Sequence, residues 1–346
     1  MKMLITGGAG MVGSHCAEYF SSQGYEVLVY DNLMRSQIFG SDARSVEYNW
    51  NYLNTIDGIT LVKADVRDVG MLERVFTQFR PDVVIHAAGQ PGVRMSVEDP
   101  KQDYSINSTG TLNVLEALRK TNQLGTLIYC STNKVYGANI DSHRLIEDDT
   151  RYRFREITGI KETESIDRTG HTPYGVSKLA GELYAQDYAH TYGMRTGIFR
   201  MSCIFGTRQF GFEDQGWIAW FCRRFLTGDP ITLYGNGKQV RDVLWVTDLV
   251  SAFDNFIQSG EQHNVFNMGG GPDNTLSLLE LIRLLEDRTG KSVEIQTSKW
   301  REFDQKVYIS DISNVSEKLN WSPTISSEVG IDLLMRWVED NDLSLK

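Results

Sequence analysis

Tyr174 and Lys178 stand four residues apart in the segment from His171 to Lys178, and Thr132 lies upstream between Ser131 and Gly137. Residues at i and i+4 share one helix face. A cationic lysine beside a phenol favours the phenolate and draws its pKa from ~10 toward neutrality. Such a tyrosinate can take a proton from an alcohol, and give it back in the reverse direction. Lys178 can also hold a cofactor ribose, and Thr132 can orient the alcohol. The same spacing fits a surface Tyr–Lys pair on an amphipathic helix, so the surrounding elements have to decide between the two.

Those elements alternate from the first residue. Met3–Thr6 reads as a short buried strand. Met11–Ser22 has helical spacing, with Gly24 as a stop beyond it. Further strands are expected at Glu26–Tyr30, Thr60–Ala64, Asp82–Ala88, Thr126–Ser131 and Arg195–Met201. Long helices are expected at Pro100–Asn122 and Tyr174–Tyr192. This is the rhythm of an α/β chain with a Rossmann-type doubly wound parallel sheet. Later, helices at Trp217–Thr227, Asp248–Ser259, Leu278–Thr289 and Glu328–Glu339 mix with short strands at Ile231–Tyr234 and Val293–Gln296. A capping box, Ser277 with Glu280, marks one helix start. The reading is a cofactor-binding domain over 1–200 and a smaller mixed α/β substrate lobe over 201–346, with interleaved boundaries. The polar segment 138–172 shows no period, and it is expected to cover the cleft or make a subunit contact.

The loop Gly7, Gly10, Met11, Val12 and Gly13 sits between the first strand and first helix. Its glycines let backbone N–H groups approach a pyrophosphate at the helix N-terminus. Asp31 and Asn32 end the second strand. A carboxylate at Asp31 accepts from ribose hydroxyls and repels a 2′-phosphate, which favours NAD over NADP. Arg35 could instead reach a 2′-phosphate, but Asp31 is better placed. Asp65 and Val66 follow the third strand, where adenine is expected; Ala87, Ala88 and Gly89 follow the fourth, with Gln90 beyond them near the expected sugar site.

Composition narrows the class. The chain has 346 residues and a net charge of −10, from 35 basic and 45 acidic residues. An acidic chain without a basic run is a poor partner for nucleic acid or anionic membrane. The four cysteines form no C-x-x-C pair and lie in apolar stretches, as reduced core thiols would. The six histidines have no metal spacing, so no metal is expected. No apolar run reaches the ~18 residues of a membrane span. A cytoplasmic location is expected.

With Thr132, Tyr174, Lys178 and the glycine loop together, the chain resembles the extended short-chain dehydrogenase/reductases, a family of nucleotide-sugar epimerases and dehydratases. The resemblance implies NAD as a tightly held cofactor regenerated each cycle, the Thr–Tyr–Lys relay as catalytic, and Asn107 as the family's asparagine in the long helix. It also implies a homo-oligomer, dimer or tetramer, joined through the helices bearing Asn107 and Tyr174. In that family dehydration needs an added acid and base, usually Asp-Glu directly after the threonine. Asn133 and Lys134 stand there instead, which leaves epimerisation through a transient ketone.

Five later blocks are similar to the subgroup that inverts C2 of a CDP-linked 3,6-dideoxyhexose. They start at Ser131, Arg208, Glu213, Asn236 and Arg301. This implies a CDP-sugar substrate, with Arg241 and Arg301 clamping the diphosphate and Arg208, Gln209 and Phe210 flanking the cytosine and diphosphate. Asn133, Gln215, Gly216 and Arg94 are further candidates, Arg94 without an assigned role. The alternatives are a C4-epimerase of UDP- or CDP-hexose, a 4,6-dehydratase, and a catalytically silent NAD-binding scaffold.

Overall fold

The computed structural model describes residues 1–35, 37 and 45–341. A seven-stranded, all-parallel sheet forms its centre. Across the sheet run His263–Met268, Arg195–Met201, Thr126–Thr132, Val83–His86, Lys2–Thr6, Glu26–Asp31 and Ile59–Lys63. The order reverses beside Lys2–Thr6, where a doubly wound sheet opens a ligand crevice at its strand C-termini. Thr6 pairs with His86, and Thr132 with Met201. The glycine loop, Ala87–Gly89 and Thr132 therefore emerge on the same edge.

Val, Ile and Leu runs in the five inner strands are buried on both faces, as in other parallel sheets. One face carries Met3, Ile5, Val27 and Val29 with Phe253, Phe256 and Phe266. The other carries Leu4, Leu28 and Val84 with Leu115, Leu118 and Tyr188. The chain interleaves its halves: the Val246–Gln258 helix packs on the sheet, and His263–Met268 supplies its edge strand.

The expected helices Met11–Ser22, Trp217–Thr227 and Leu278–Thr289 have these bounds, and the Ser277–Glu280 capping box is formed. The helix expected over Pro100–Asn122 changes pitch. Pro100–Tyr104 is α, Ser105–Thr109 is a π turn, and Gly110–Thr121 is α again. Such one-turn widenings gather at functional sites, and this one carries Asn107.

Of the two roles expected for segment 138–172, covering the cleft is not the one its packing shows. The segment lines no part of the cleft among the described residues. A hairpin of Leu145–Glu147 and Tyr152–Phe154 turns Tyr152 and Phe154 inward, against Val240, Val307 and Tyr308. Two aromatics at i and i+2 on one strand face give the segment a small core that its polar composition conceals.

The smaller lobe is built on Val240–Trp245, flanked by Thr275–Ser277, Val307–Tyr308 and Cys203–Phe205. Ile231–Tyr234 pairs with Ile295–Ser298, two residues beyond the expected start of that strand. Phe221, Phe225, Leu281 and Leu334 are part of its core.

Candidate active site

A cleft of about 530 Å³ lies between sheet edge and smaller lobe. At one end the glycine loop closes on the sheet. Gly7 has φ +69°, and a Cβ there would come within 2.5 Å of the Ala88 nitrogen. A Cβ on Gly13 would strike the Gly7 carbonyl. These two glycines let the Met11–Ser22 helix start flush against the strand ends. Its N-cap, Gly10, supplies no side-chain acceptor, so the first-turn N–H groups can take an anion.

Asp31 is buried. Its carboxylate accepts from the Ala9 N–H at 2.9 Å and the Leu33 N–H at 2.8 Å, and burial raises its pKa. It thus braces the loop while lining the cleft beside Asn32. Val66, Ala87, Ala88, Gly89 and Gln90 also line it. Asp65 does not. Its carboxylate accepts from Asn32 Nδ2 at 2.8 Å and from Arg67 Nη2 at 2.7 Å. Burial would raise its pKa, but the bonds from Arg67 and Asn32 hold it down, at about 2.

Asn107 also lies behind the wall. Its amide accepts from the Gln90 N–H at 2.8 Å and donates to Gln90 O at 3.0 Å and Ser177 Oγ at 3.1 Å. It ties the Gly89–Gln90 turn to the helix bearing Tyr174. The Gln90 side chain donates to Gly92 O at 2.9 Å and to Asp103 Oδ1 at 3.1 Å. It is spent on Gly92 and on Asp103 of the Pro100–Tyr104 helix, so what Gln90 offers the cleft is its backbone edge.

Thr132 ends its strand, Tyr174 lies in the first turn of the Thr172–Tyr192 helix, and both line the cleft with Lys178. The Thr132 hydroxyl lies beside the Tyr174 phenol and donates to Asn133 Oδ1 at 3.3 Å. The Tyr174 N–H donates to Ser96 Oγ at 3.0 Å. Burial pushes the Tyr174 phenol up to about 12, against the neighbouring Thr132 hydroxyl, which lowers it. Lys178 is not among the groups acting on it.

Lys178, expected to draw the phenol toward neutrality, stands here against a ring and a backbone turn. Its ammonium lies 4.3 Å from the Tyr129 ring centroid, and 3.9 Å from where a Gly89 Cβ would stand. It faces the cofactor wall. Burial lowers Lys178 to about 8, while Cys130, Asp103 and Glu182 oppose the shift. Behind it, buried Glu182 binds Arg200 at 2.5 Å and accepts from Ser131 Oγ at 2.7 Å.

The other end carries the candidates for substrate. Asn133, Arg208, Gln209, Phe210, Gln215, Gly216 and Arg241 line the cleft. Arg241 is already paired, to Asp304 at 2.5 Å. Arg208 differs from expectation: it is locked against the first helix by Glu18 at 2.8 Å, over the Tyr52 ring. That places it at the cofactor end. Phe210 packs against Tyr48 and Trp337.

Arg301 and Arg94 do not line the cleft. Both reach Asp214, which does, at 3.0 and 3.4 Å. Arg301 also covers the Tyr234 ring at 3.8 Å. Arg94 is largely exposed and is tied as well to Glu98. Lys134, Asp214 and Asp304 are cleft residues to which sequence reasoning gives no binding role. Asp214 and Asp304 lie inside blocks it singles out, and Lys134 adjoins Asn133.

The chain matches the model of the NAD dependent epimerase/dehydratase family over residues 3–269. It belongs to that family. NAD is the cofactor, and the cleft fits it: a glycine cradle that added Cβ atoms would fill, an open helix start, and a buried carboxylate at a strand end. The chain is 39% identical to CDP-paratose 2-epimerase of Salmonella typhi over 97% of this chain and 99% of that one. Among solved structures, UDP-glucose 4-epimerase of Thermotoga maritima with UDP-glucose superposes with a TM-score of 0.83 at 31% identity, covering 98% of this chain and 99% of the other. That of Thermus thermophilus in complex with NAD gives 0.82 at 30%, covering 99% and 100%.

Proposed function

We propose that this protein is a nucleotide-sugar 2-epimerase acting on a CDP-linked 3,6-dideoxyhexose of the paratose/tyvelose type. The observation that carries the reading is the near full-length identity to CDP-paratose 2-epimerase. The site agrees with it: the relay is present, and Asn133 and Lys134 stand where elimination would need carboxylates.

NAD, when bound, supplies the hydride acceptor and donor. The protein's part is to handle the proton and the geometry. The Thr132 and Tyr174 hydroxyls lie side by side at the cleft wall, so a sugar C2 hydroxyl placed between them meets a donor and an acceptor. Tyr174 takes the hydroxyl proton as C2 becomes a ketone. Lys178 holds the ribose at the cofactor wall. The ketone turns over within the cleft, and Tyr174 returns the proton to the oxygen once hydride has come back on the other face. The balance is one C–H and one O–H bond broken and remade, with no net redox change.

Charge on the diphosphate suits Arg241 and Arg301, since guanidinium groups bind phosphate bidentately. Both would exchange a carboxylate for it. A homo-oligomer also forms part of this reading. Val176, Leu183 and Tyr184 are exposed on the catalytic helix, and Tyr104 and Val97 on the neighbouring ones. No helix among the described residues is long and apolar enough to cross a membrane; a cytoplasmic location goes with a nucleotide-sugar substrate.

The second reading is a C4-epimerase, favoured by the likeness to the UDP-glucose 4-epimerases. The NAD-loaded protein incubated with CDP-, UDP-, GDP- and dTDP-sugars in D₂O, followed by proton NMR, separates them. The expected result is a CDP-sugar inverted at C2 with no deuterium on that carbon. Inversion of a UDP-hexose at C4 would establish the second reading. Stoichiometric deuterium at the inverted carbon would replace hydride transfer with deprotonation.

A further inference from the structure

Lys134 lines the cleft two residues beyond Thr132. Its ammonium donates to Gln305 Oε1 at 3.2 Å and to the Phe303 carbonyl at 3.5 Å. Both acceptors are neutral. Among the described residues no carboxylate lies within ion-pair distance of it. The charged and titratable groups that face it are Arg241, Asp304, Cys203 and Asp141, and Asp304 is committed to Arg241 at 2.5 Å.

A half-buried ammonium facing a guanidinium and without its own counter-ion is costly to keep charged. Burial and Arg241 accordingly lower its pKa. An anion arriving in the cleft would supply the missing charge, and the nucleotide sugar brings two phosphates. Thr132 and Tyr174 mark where the sugar reacts. A cation two residues from Thr132 falls on the sugar side of the diphosphate, and Arg241 lines the same cleft.

We propose that Lys134 binds the sugar-side phosphate of the nucleotide sugar and so selects diphosphates over monophosphates. This rests on the nucleotide-sugar reading above. It gives position 134 a positive task. Where an eliminating enzyme would place a base, this chain places a phosphate ligand.

The test is calorimetric titration of cytidine, CMP and CDP into NAD-loaded wild type, Lys134→Gln and Lys134→Arg, with steady-state rates alongside. CDP affinity is expected to fall about 10-fold or more in Lys134→Gln, the range for losing one charge-assisted hydrogen bond. Cytidine and CMP should hold within about 2-fold, and Lys134→Arg should recover most of the loss. For the sugar substrate KM should rise with kcat little changed, which a merely structural lysine would not produce. Unchanged CDP affinity overturns the proposal. So does an equal loss for CMP and CDP, which would put the amine on the other phosphate. A loss in all three ligands with a lower melting temperature means a structural role, and also overturns it. Wild type binding no cytidine nucleotide at all sinks the underlying reading, separately from any effect of the mutation.

Discussion

The two ends of the cleft solve the problem of charge in opposite ways. At the reacting end, Tyr174 and Lys178 are held by neutral partners and by burial, and both are pushed toward their uncharged forms. At the substrate end, Arg241 and Arg301 are paired with the carboxylates of Asp304 and Asp214. The first arrangement is preorganised: the groups wait in place, and the ligand completes their electrostatics. The second is an exchange: an internal carboxylate must give way to a phosphate. Chemistry needs fixed geometry within tenths of an ångström, whereas a large charged substrate needs a way in and out.

If the reacting end is preorganised, removing one proton carrier should destroy turnover and little else. Tyr174→Phe keeps the ring and its packing but loses the hydroxyl that lies beside Thr132. Turnover is expected to drop roughly 10³-fold or more, within the range for general acid–base groups. Bound NAD, read by absorbance after denaturation, should stay at the wild-type ratio. Near-wild-type turnover in this variant would break the comparison at its stronger end.

Preorganisation has a stability cost that Lys178 makes measurable. Its folded-state pKa of about 8 lies below the ordinary lysine value of 10.5. Below pH 8 both folded and unfolded chains carry the proton, and the folded state bears the whole cost of the buried charge. Between about 8 and 10.5 the unfolded chain binds more protons, so this group's contribution to stability rises with pH. Lys178→Met should therefore be more stable than wild type at pH 7, by up to about 3 kcal/mol. The gap should close by pH 10.5. Denaturant melts of the apo proteins at the two pH values check it, and a gap that widens with pH would reverse the sign of the argument.

Much of the reacting end is legible in the sequence, because short-range rules write it there. A glycine loop between strand and helix, an acid at the second strand end and a Tyr–Lys pair at i, i+4 are local patterns. The seventh strand, His263–Met268, is not local. It joins the sheet only through the chain's return from the smaller lobe, beside Arg195–Met201. The packing of segment 138–172 is hidden for the same reason, since Tyr152 and Phe154 bury against residues about 90 to 155 positions away. The sequence identifies Arg208 as a cation but not its owner. Glu18, on the first helix, claims it. Asn107 shows the limit most clearly: its residue type and position are readable, yet its hydrogen bonds to Gln90 and Ser177 are not.

The exchange at the substrate end makes a smaller and more revealing prediction. Asp304 is partly exposed and its pair with Arg241 is near the cleft surface, so the interaction is worth at most about 1 kcal/mol. If the carboxylate competes with phosphate for Arg241, Asp304→Asn should bind CDP a few-fold more tightly than wild type. Product should then leave more slowly. Asp214→Asn should act the same way through Arg301, with Arg94 released to solvent. Titration calorimetry at two salt concentrations distinguishes the outcomes, because added salt weakens partly exposed pairs. Weaker CDP binding in both variants would mean that the carboxylates aim the guanidinium groups at the substrate. The two ends of the cleft would then work alike, each holding its groups in place before the ligand arrives.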